Sequence, residues 1–467
     1  MTTRIEKDTL GEMEVPASAY YGAQTARAVR NFPISGLKPH PAFVWAVVII
    51  KKCAAKANMT TGRLPRDIGN AIVGAADEIL AGEFRDQFVV DPFQAGAGTS
   101  HNMNINEVLA NRALEILGKQ RGDFSTLHPN DHVNMAQSTN DVIPTAIRLA
   151  SLEMLDPLLE TLEGLEQALA AKASEFDHVL KSGRTHLQDA VPIRLGQEFS
   201  AYGAAIRANR QGLEGCIPAL LELGIGGTAV GTGLNAEPEY MRLIVEELVI
   251  ETGFPVIPSS NLFHAMQDMD PFLALSSGLR RTAVNLGRIA NDLRLLASGP
   301  RTGLDEIRLP AIQPGSSIMP GKINPSMAEM VNMVCFQVEG CDQAVMLAAA
   351  AGQLELNVMM PLIAFNLLFS MEILKNCVQK FTELCILGIE ANEERCLQYL
   401  VDSLGLVTVL APYIGYNAAA EVAKESVASG RSIREIVLER GMMPEAELDE
   451  VMRPEHLTEP GLGLRES

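Results

Sequence analysis

The stretch Gly315-Ser316-Ser317-Ile318-Met319-Pro320-Gly321-Lys322-Ile323-Asn324-Pro325 sets two hydroxyls, a cation and an amide donor on one loop punctuated by Gly and Pro. Such a loop can close over an anion. Taken alone, the same residues also fit a flexible surface linker, since Gly, Ser and Pro dominate ordinary turns. A phosphate loop fits less well. The interval from Gly315 to Gly321-Lys322 is one residue too long for the G-x-x-x-x-G-K pattern, and Ile323 stands where a Ser or Thr should bind Mg²⁺.

Three further segments carry polar groups at high density: Gln94-Ala95-Gly96-Ala97-Gly98-Thr99-Ser100-His101-Asn102-Met103-Asn104, Gln137-Ser138-Thr139-Asn140-Asp141 and Gly183-Arg184-Thr185-His186-Leu187-Gln188-Asp189-Ala190. With the serine loop, and in this order, they resemble the four active-site segments of the aspartase/fumarase superfamily, tetrameric lyases that eliminate across a carbon–carbon bond to release fumarate. The similarity runs from Tyr20-Tyr21-Gly22-Ala23-Gln24-Thr25 to Ala391-Asn392-Glu393-Glu394-Arg395 and Tyr413-Ile414-Gly415-Tyr416.

Removing a proton from a carbon beside a carboxylate requires a base and something to hold the dianionic enediolate that results. The resemblance implies that Ser316 is the base. A free hydroxyl ionises about six units too high for that task, and at about 1.4 kcal/mol per unit the loop must recover much of roughly 8 kcal/mol. Backbone N–H groups around Gly315 to Ile318, with Lys322 nearby, are the expected means once closure has removed water. The resemblance also implies that Thr99, Ser138, Thr139 and Ser317 hold the β-carboxylate, that Lys322, Asn324 and Thr185 hold the other carboxylate, and that Asn140 and His186 face the leaving group. Ser316, His186 and Lys322 form the expected catalytic set. On residue type alone each hydroxyl would be a helix cap or turn former, and His186 a packed core histidine. His128 and His132, in His128-Pro129-Asn130-Asp131-His132, resemble a secondary anion site of fumarases and are left outside that set.

A net charge of −19 argues against nucleic acid or an anionic membrane as partner. It also means that a dicarboxylate site must supply its own cations and backbone donors. With 47% hydrophobic and 20% charged residues the chain reads as globular, not disordered. Seven cysteines without a C-x-x-C pair suit a reducing compartment. The N-terminus has no apolar signal region, and the strongest apolar run, Val44 to Ile50, is too short to span a bilayer and ends at Lys51-Lys52. A cytoplasmic location is expected. No cluster has zinc-ligand spacing and elimination needs no redox agent, so no cofactor and no metal are expected, although a modulating divalent ion stays open.

These groups must be positioned by helices. Leu152, Leu155, Leu158, Leu159, Leu162, Leu165 and Leu169 recur at steps of three and four, as do Leu275, Leu279, Leu286, Ile289, Leu293 and Leu296. A proline-free stretch runs from Ser326 to Met360, longer than an average helix. The pattern predicts a mainly α protein with a long central helical bundle. Three regions follow: 1–139, mixed but mainly helical; 140–394, the bundle carrying the serine loop; and 395–467, a small helical domain with a polar tail. The run Met346-Leu347-Ala348-Ala349-Ala350-Ala351 is too apolar for one copy to bury, so a bundle shared between subunits is expected. The resemblance makes that a homotetramer with sites shared between subunits. The Gly226 to Gly233 run lacks a dinucleotide fingerprint and reads as a tight loop approaching the site.

Within the superfamily, Ala97, Ser100 and Thr139 look like the aspartase branch, as do the segments Ala391 to Cys396 and Glu447 to Met452. Gly226-Gly227-Thr228-Ala229 and His128 to Asp131 look like the fumarases, and Ile312, Cys341 and Met360 depart from both. The implied reaction is reversible deamination of L-aspartate to fumarate and ammonia. Hydration of fumarate to L-malate is the alternative, followed by deamination of a substituted aspartate. A catalytically silent helical scaffold would not need Ser316, Lys322, Asn324, Thr99 and His186 together. The argininosuccinate and adenylosuccinate branch shares the serine loop, but the other three segments match the small-substrate branch more tightly.

Overall fold

The computed structural model describes residues 2–460. Met1 and residues 461–467, the end of the expected polar tail, lie outside the described residues. The protein is mainly α-helical, as the periodicity predicts; its strands form four two-stranded sheets among the described residues.

Five helices dominate: Thr139–Glu175, Leu195–Glu214, Asp270–Leu296, Ser326–Ala350 and Met360–Leu384. Their leucine stripes are core stripes. Leu152, Leu155, Leu158, Leu162, Leu165 and Leu169 are buried, as are all six residues of the Leu275 to Leu296 set, whereas Leu159 is half-buried. The proline-free stretch does not make one helix. It stops at Ala350, because Asn357 Nδ2 donates to the carbonyls of Ala348 (2.9 Å) and Ala349 (3.2 Å) and so occupies acceptors that a continuing helix would use. Met360–Gly388 is long and apolar enough to cross a bilayer by length and composition alone, a feature the short Val44 to Ile50 run had hidden; 61% of its apolar window is buried within the protein, as in a core helix.

Packing divides the chain into two compact units, and the divisions fall inside these five helices. The first comprises Met1–Glu160, Asn209–Ala283 and Cys335–Lys375. It opens with the antiparallel hairpin Thr3–Asp8/Gly11–Pro16 and the helices Ala23–Asn31, Pro41–Thr60, Arg66–Leu80 and Thr99–Ile116. Glu107, inside the last of these, accepts the backbone N–H groups of Gly22 (2.8 Å), Gln24 (2.9 Å) and Thr25 (3.1 Å), capping the first helix from outside. Any side chain at Gly22 would overlap Glu6 and Glu107, which gives the Tyr20 to Thr25 segment a packing reason for its glycine.

The second unit comprises Thr161–Ala208, Val284–Val334 and Asn376–Ser467. It holds the hairpin Leu180–Thr185/Gln188–Arg194. Its last helices, from Glu393–Asp402 to Glu445–Val451, share a small core that includes Leu406, Leu410, Val422, Ile436, Val437 and Leu448.

Candidate active site

In the first unit the candidate residues gather at two helix starts. Thr99 opens Thr99–Ile116 after a turn in which Ala97 (φ 61°) and Gly98 (φ 87°) are left-handed, and the Ala97 N–H donates to Val358 O at 2.8 Å. Ser138 stands immediately before Thr139–Glu175 and caps it: its Oγ accepts the Asn140 N–H at 3.2 Å, while Asp141 Oδ1 accepts the Ser138 N–H at 2.9 Å. A hydroxyl that accepts one bond keeps its proton to donate, so capping does not remove Ser138 from a carboxylate grip. Asn102 Nδ2 bridges the two helix starts by donating to Thr139 Oγ1 at 3.3 Å. Asn102 thus ties the helix that Thr99 opens to the one that starts at Thr139, and helix N-termini favour an anion.

The Gly-rich loop is drawn to the same place. Asp141 Oδ2 accepts the N–H groups of Gly226 (3.1 Å) and Thr228 (2.9 Å), and Asn140 Nδ2 donates to Ala229 O at 2.7 Å. One donor of Asn140 is therefore already committed to the loop. Burial raises the Asp141 carboxyl to about 6 against these N–H groups and the Lys51 charge. Burial likewise lowers Lys51 to about 7. His101, two residues after Thr99, is pushed by burial down to about 4; its Nε2 lies 3.3 Å from Val90 O and its Nδ1 has no hydrogen-bond partner.

In the second unit, Thr185 and His186 sit exposed at the tip of the hairpin. His186 (φ 57°) and Leu187 (φ 59°) are both left-handed, the pattern of a two-residue hairpin turn, here without the usual glycine or asparagine. The hairpin is anchored by Arg184, whose guanidinium donates two bonds to the buried Glu306 (2.8 and 2.9 Å), and by the buried Lys181, which pairs with Glu306 and Glu198.

The serine loop of the same unit is closed by its own backbone. Gly315 N donates to Lys322 O at 2.8 Å, and Asn324 Nδ2 donates to Gly315 O at 2.6 Å. A methyl group at Gly315 would overlap the Lys322 carbonyl. Inside this closure Ser316 Oγ accepts the N–H groups of Ile318 (3.2 Å) and Met319 (2.9 Å). The donors lie slightly further along the loop than the sequence suggests. Ser317 and Lys322 are exposed and Asn324 is half-buried. No hydrogen bond or ion pair joins Thr185 or His186 to Ser316, Ser317, Lys322 or Asn324 among the described residues.

The lyase family model matches residues 11–340, and that of the fumarase C C-terminus matches residues 406–459. The chain belongs to the aspartase/fumarase superfamily. The superfamily members it matches include an aspartate ammonia-lyase of Bacillus subtilis, 52% identical over 99% of this chain and 98% of that one, and an Escherichia coli aspartate ammonia-lyase, 48% identical over 98% and 96%. Among solved structures, a Brucella melitensis protein described as a fumarate lyase:delta crystallin bound to cobalt has a TM-score of 0.95 at 50% identity, over 98% of this chain and 100% of that one. A class II fumarase from Schistosoma mansoni has a TM-score of 0.91 at 38% identity, over 97% and 98%.

A cavity of about 620 Å³ in the first unit is lined by Glu6, Asp8, Glu107, Phe124, His128 and Asn130 among others, and by none of the candidate catalytic or substrate-binding residues. His128 Nδ1 there accepts the Asn130 N–H at 3.1 Å. The three departures from the superfamily pattern scatter: Met360 and Cys341 are buried, and Ile312 is partly exposed. Sequence reasoning passed over Asp141, Asn102 and Lys51. The first two lie inside quoted motifs and were legible as polar residues at a helix start; Lys51 had only the oddity of a lysine closing an apolar run.

Proposed function

We propose that this chain is an ammonia-lyase that reversibly converts L-aspartate into fumarate and ammonia. The observation that carries the chemistry is Ser316, whose Oγ takes two backbone N–H groups inside a loop closed by Gly315, Lys322 and Asn324. Those donors stabilise the oxygen as an anion before it acts and as it trades charge with substrate, which lowers the cost of using a hydroxyl as base. Ser316 Oγ takes the proton from the carbon beside the β-carboxylate. The electron pair moves into that carboxylate, giving the enediolate, and Thr99, Ser138, Thr139 and Ser317 donate to it. Collapse forms the carbon–carbon double bond and breaks the carbon–nitrogen bond, and the ammonium group leaves as neutral ammonia without needing an acid. Lys322, Asn324 and Thr185 hold the α-carboxylate, and His186 and Asn140 face the departing nitrogen.

The choice of aspartate rests on relatives about half identical over nearly the whole chain and named aspartate ammonia-lyases. Fumarate hydration is the second reading, favoured by the likeness to the Schistosoma class II fumarase. Following fumarate with L-aspartate and L-malate in parallel separates the two. Turnover of L-aspartate well above L-malate supports the proposal, and equal or faster dehydration of L-malate replaces it.

The same proposal takes the active protein as a homotetramer with composite sites, ordered along the chain in the three regions 1–139, 140–394 and 395–467. Support comes from Ser326–Ala350, where Met333, Phe336 and Leu347 are 68%, 66% and 61% exposed on a helix otherwise built for a core. A cytoplasmic location agrees with seven cysteines, six of them buried.

A further inference from the structure

Lys51 lies within Pro41–Thr60 and is wholly buried. Burying an ammonium is strongly unfavourable unless it is paired, and a linear apolar side chain would serve the stability of this core better. Yet no carboxylate lies within ion-pair distance of Lys51 among the described residues. Its Nζ donates instead to Asn134 Oδ1 (2.8 Å) and Gln137 Oε1 (2.9 Å).

Both acceptors belong to the segment that leads into Ser138. Asn134 Oδ1 also accepts from Asn102 (3.1 Å) and Asn106 (3.2 Å), so one carbonyl oxygen gathers three donors from two helices. Asn134 Nδ2 donates to Gln137 O, and Gln137 Nε2 donates to the carbonyls of Val133 and Met135. Between them Ala136 is held left-handed at φ 60°, which a non-glycine residue adopts only under constraint. Lys51 is thus the donor at the centre of an amide network that ends, through Asn102, on Thr139 Oγ1.

Asp141, wholly buried, binds the other side of the same cap through Ser138 N, Gly226 N and Thr228 N.

We propose that Lys51 is a positioning residue of the dicarboxylate site: through Asn134 and Gln137 it holds the Ser138 to Asn140 cap. Lys51 itself touches no substrate. The proposal rests on the dicarboxylate reading above, and succinate, which cannot eliminate, is the probe that separates the two. In calorimetric titrations of the full-length protein, Lys51→Met should weaken succinate binding at least tenfold and raise KM for L-aspartate to a similar degree. Its thermal midpoint should stay level or rise, because the substitution removes a buried charge; a residue that merely supports the fold would lower the midpoint and leave the affinity of the folded fraction unchanged. Gln137→Leu, which keeps the lysine and removes one of its acceptors, should weaken succinate at least threefold and covers the case in which Lys51→Met does not fold. Unchanged succinate affinity in the folded variants overturns the proposal. Wild-type protein that binds succinate but leaves L-aspartate untouched discards the ammonia-lyase reading and leaves the Lys51 comparison valid; wild-type protein that binds no succinate overturns both.

Discussion

Ser316 Oγ accepts the backbone N–H of Met319 at 2.9 Å, across a turn that contains no side-chain cation. The first stabilisation available to the serine oxygen is therefore main-chain, supplied with the Ile318 N–H at 3.2 Å. Main-chain donors need no rotamer to be fixed and do not titrate, so the hydroxyl is prepared by loop shape alone. In a protein of net charge −19 this matters, because it does not depend on the surrounding field.

Loop shape is open to direct test at Gly315. A methyl group there overlaps the Lys322 carbonyl that accepts the Gly315 N–H, so Gly315→Ala should open the closure that Asn324 completes. We expect kcat for L-aspartate to fall by about a hundredfold, the scale of losing one oxyanion donor. The loop is exposed over most of its length, so the thermal midpoint should hardly move. Steady-state kinetics beside a melting curve decides it; full activity would show that the closed loop is not the working one.

His101 makes a prediction about pH. Its folded value of about 4 lies below the ordinary 6.5, so the folded protein binds fewer protons than the unfolded chain and loses stability as pH falls below 6.5. Between pH 7.5 and pH 5 the loss from this one group is about 2 kcal/mol. Urea unfolding of wild type and His101→Gln at both values should show the variant's stability deficit shrinking, or reversing, by that amount at pH 5. An equal deficit at both values would mean that His101 is not the buried neutral group its surroundings make it.

How far the sequence was legible follows from what each element depends on. The leucine stripes of Thr139–Glu175 and Asp270–Leu296 repeat at helical steps, and a long buried helix has no other way to use them. The candidate polar residues were open only through resemblance, because four segments in the superfamily's order single out groups that residue type alone would read as caps, turns or core. What stayed hidden depends on the direction of backbone groups or on partners far along the chain. Absence of proline between Ser326 and Met360 could not reveal that Asn357 would fold back on Ala348 and Ala349. Ser316's donors are main-chain atoms of residues chosen for other reasons, and Lys51 meets Asn134 and Gln137 across more than eighty positions of sequence.

Assembly supplies the third prediction. If sites are composite, with Ser316 and His186 arriving from different subunits, inactive Ser316→Ala and inactive His186→Ala proteins should regain partial activity when refolded together. Some sites in the hybrids then draw both residues from unaltered segments. Mixing the folded variants without exchange should give nothing. Hybrid tetramers verified by mass that remain as inactive as either parent would place both residues in one chain.

The account stands or falls on the serine, and the measurement is fumarate release from L-aspartate by wild type and Ser316→Ala, with succinate binding followed in the same preparations. Wild type should release fumarate and ammonia in equal amounts. The variant should bind succinate with nearly unchanged affinity and retain less than about a hundredth of kcat, a loss of at least roughly 2.7 kcal/mol of transition-state stabilisation. Retention of more than that hundredth, with succinate still bound, would contradict the account and assign the proton to another base.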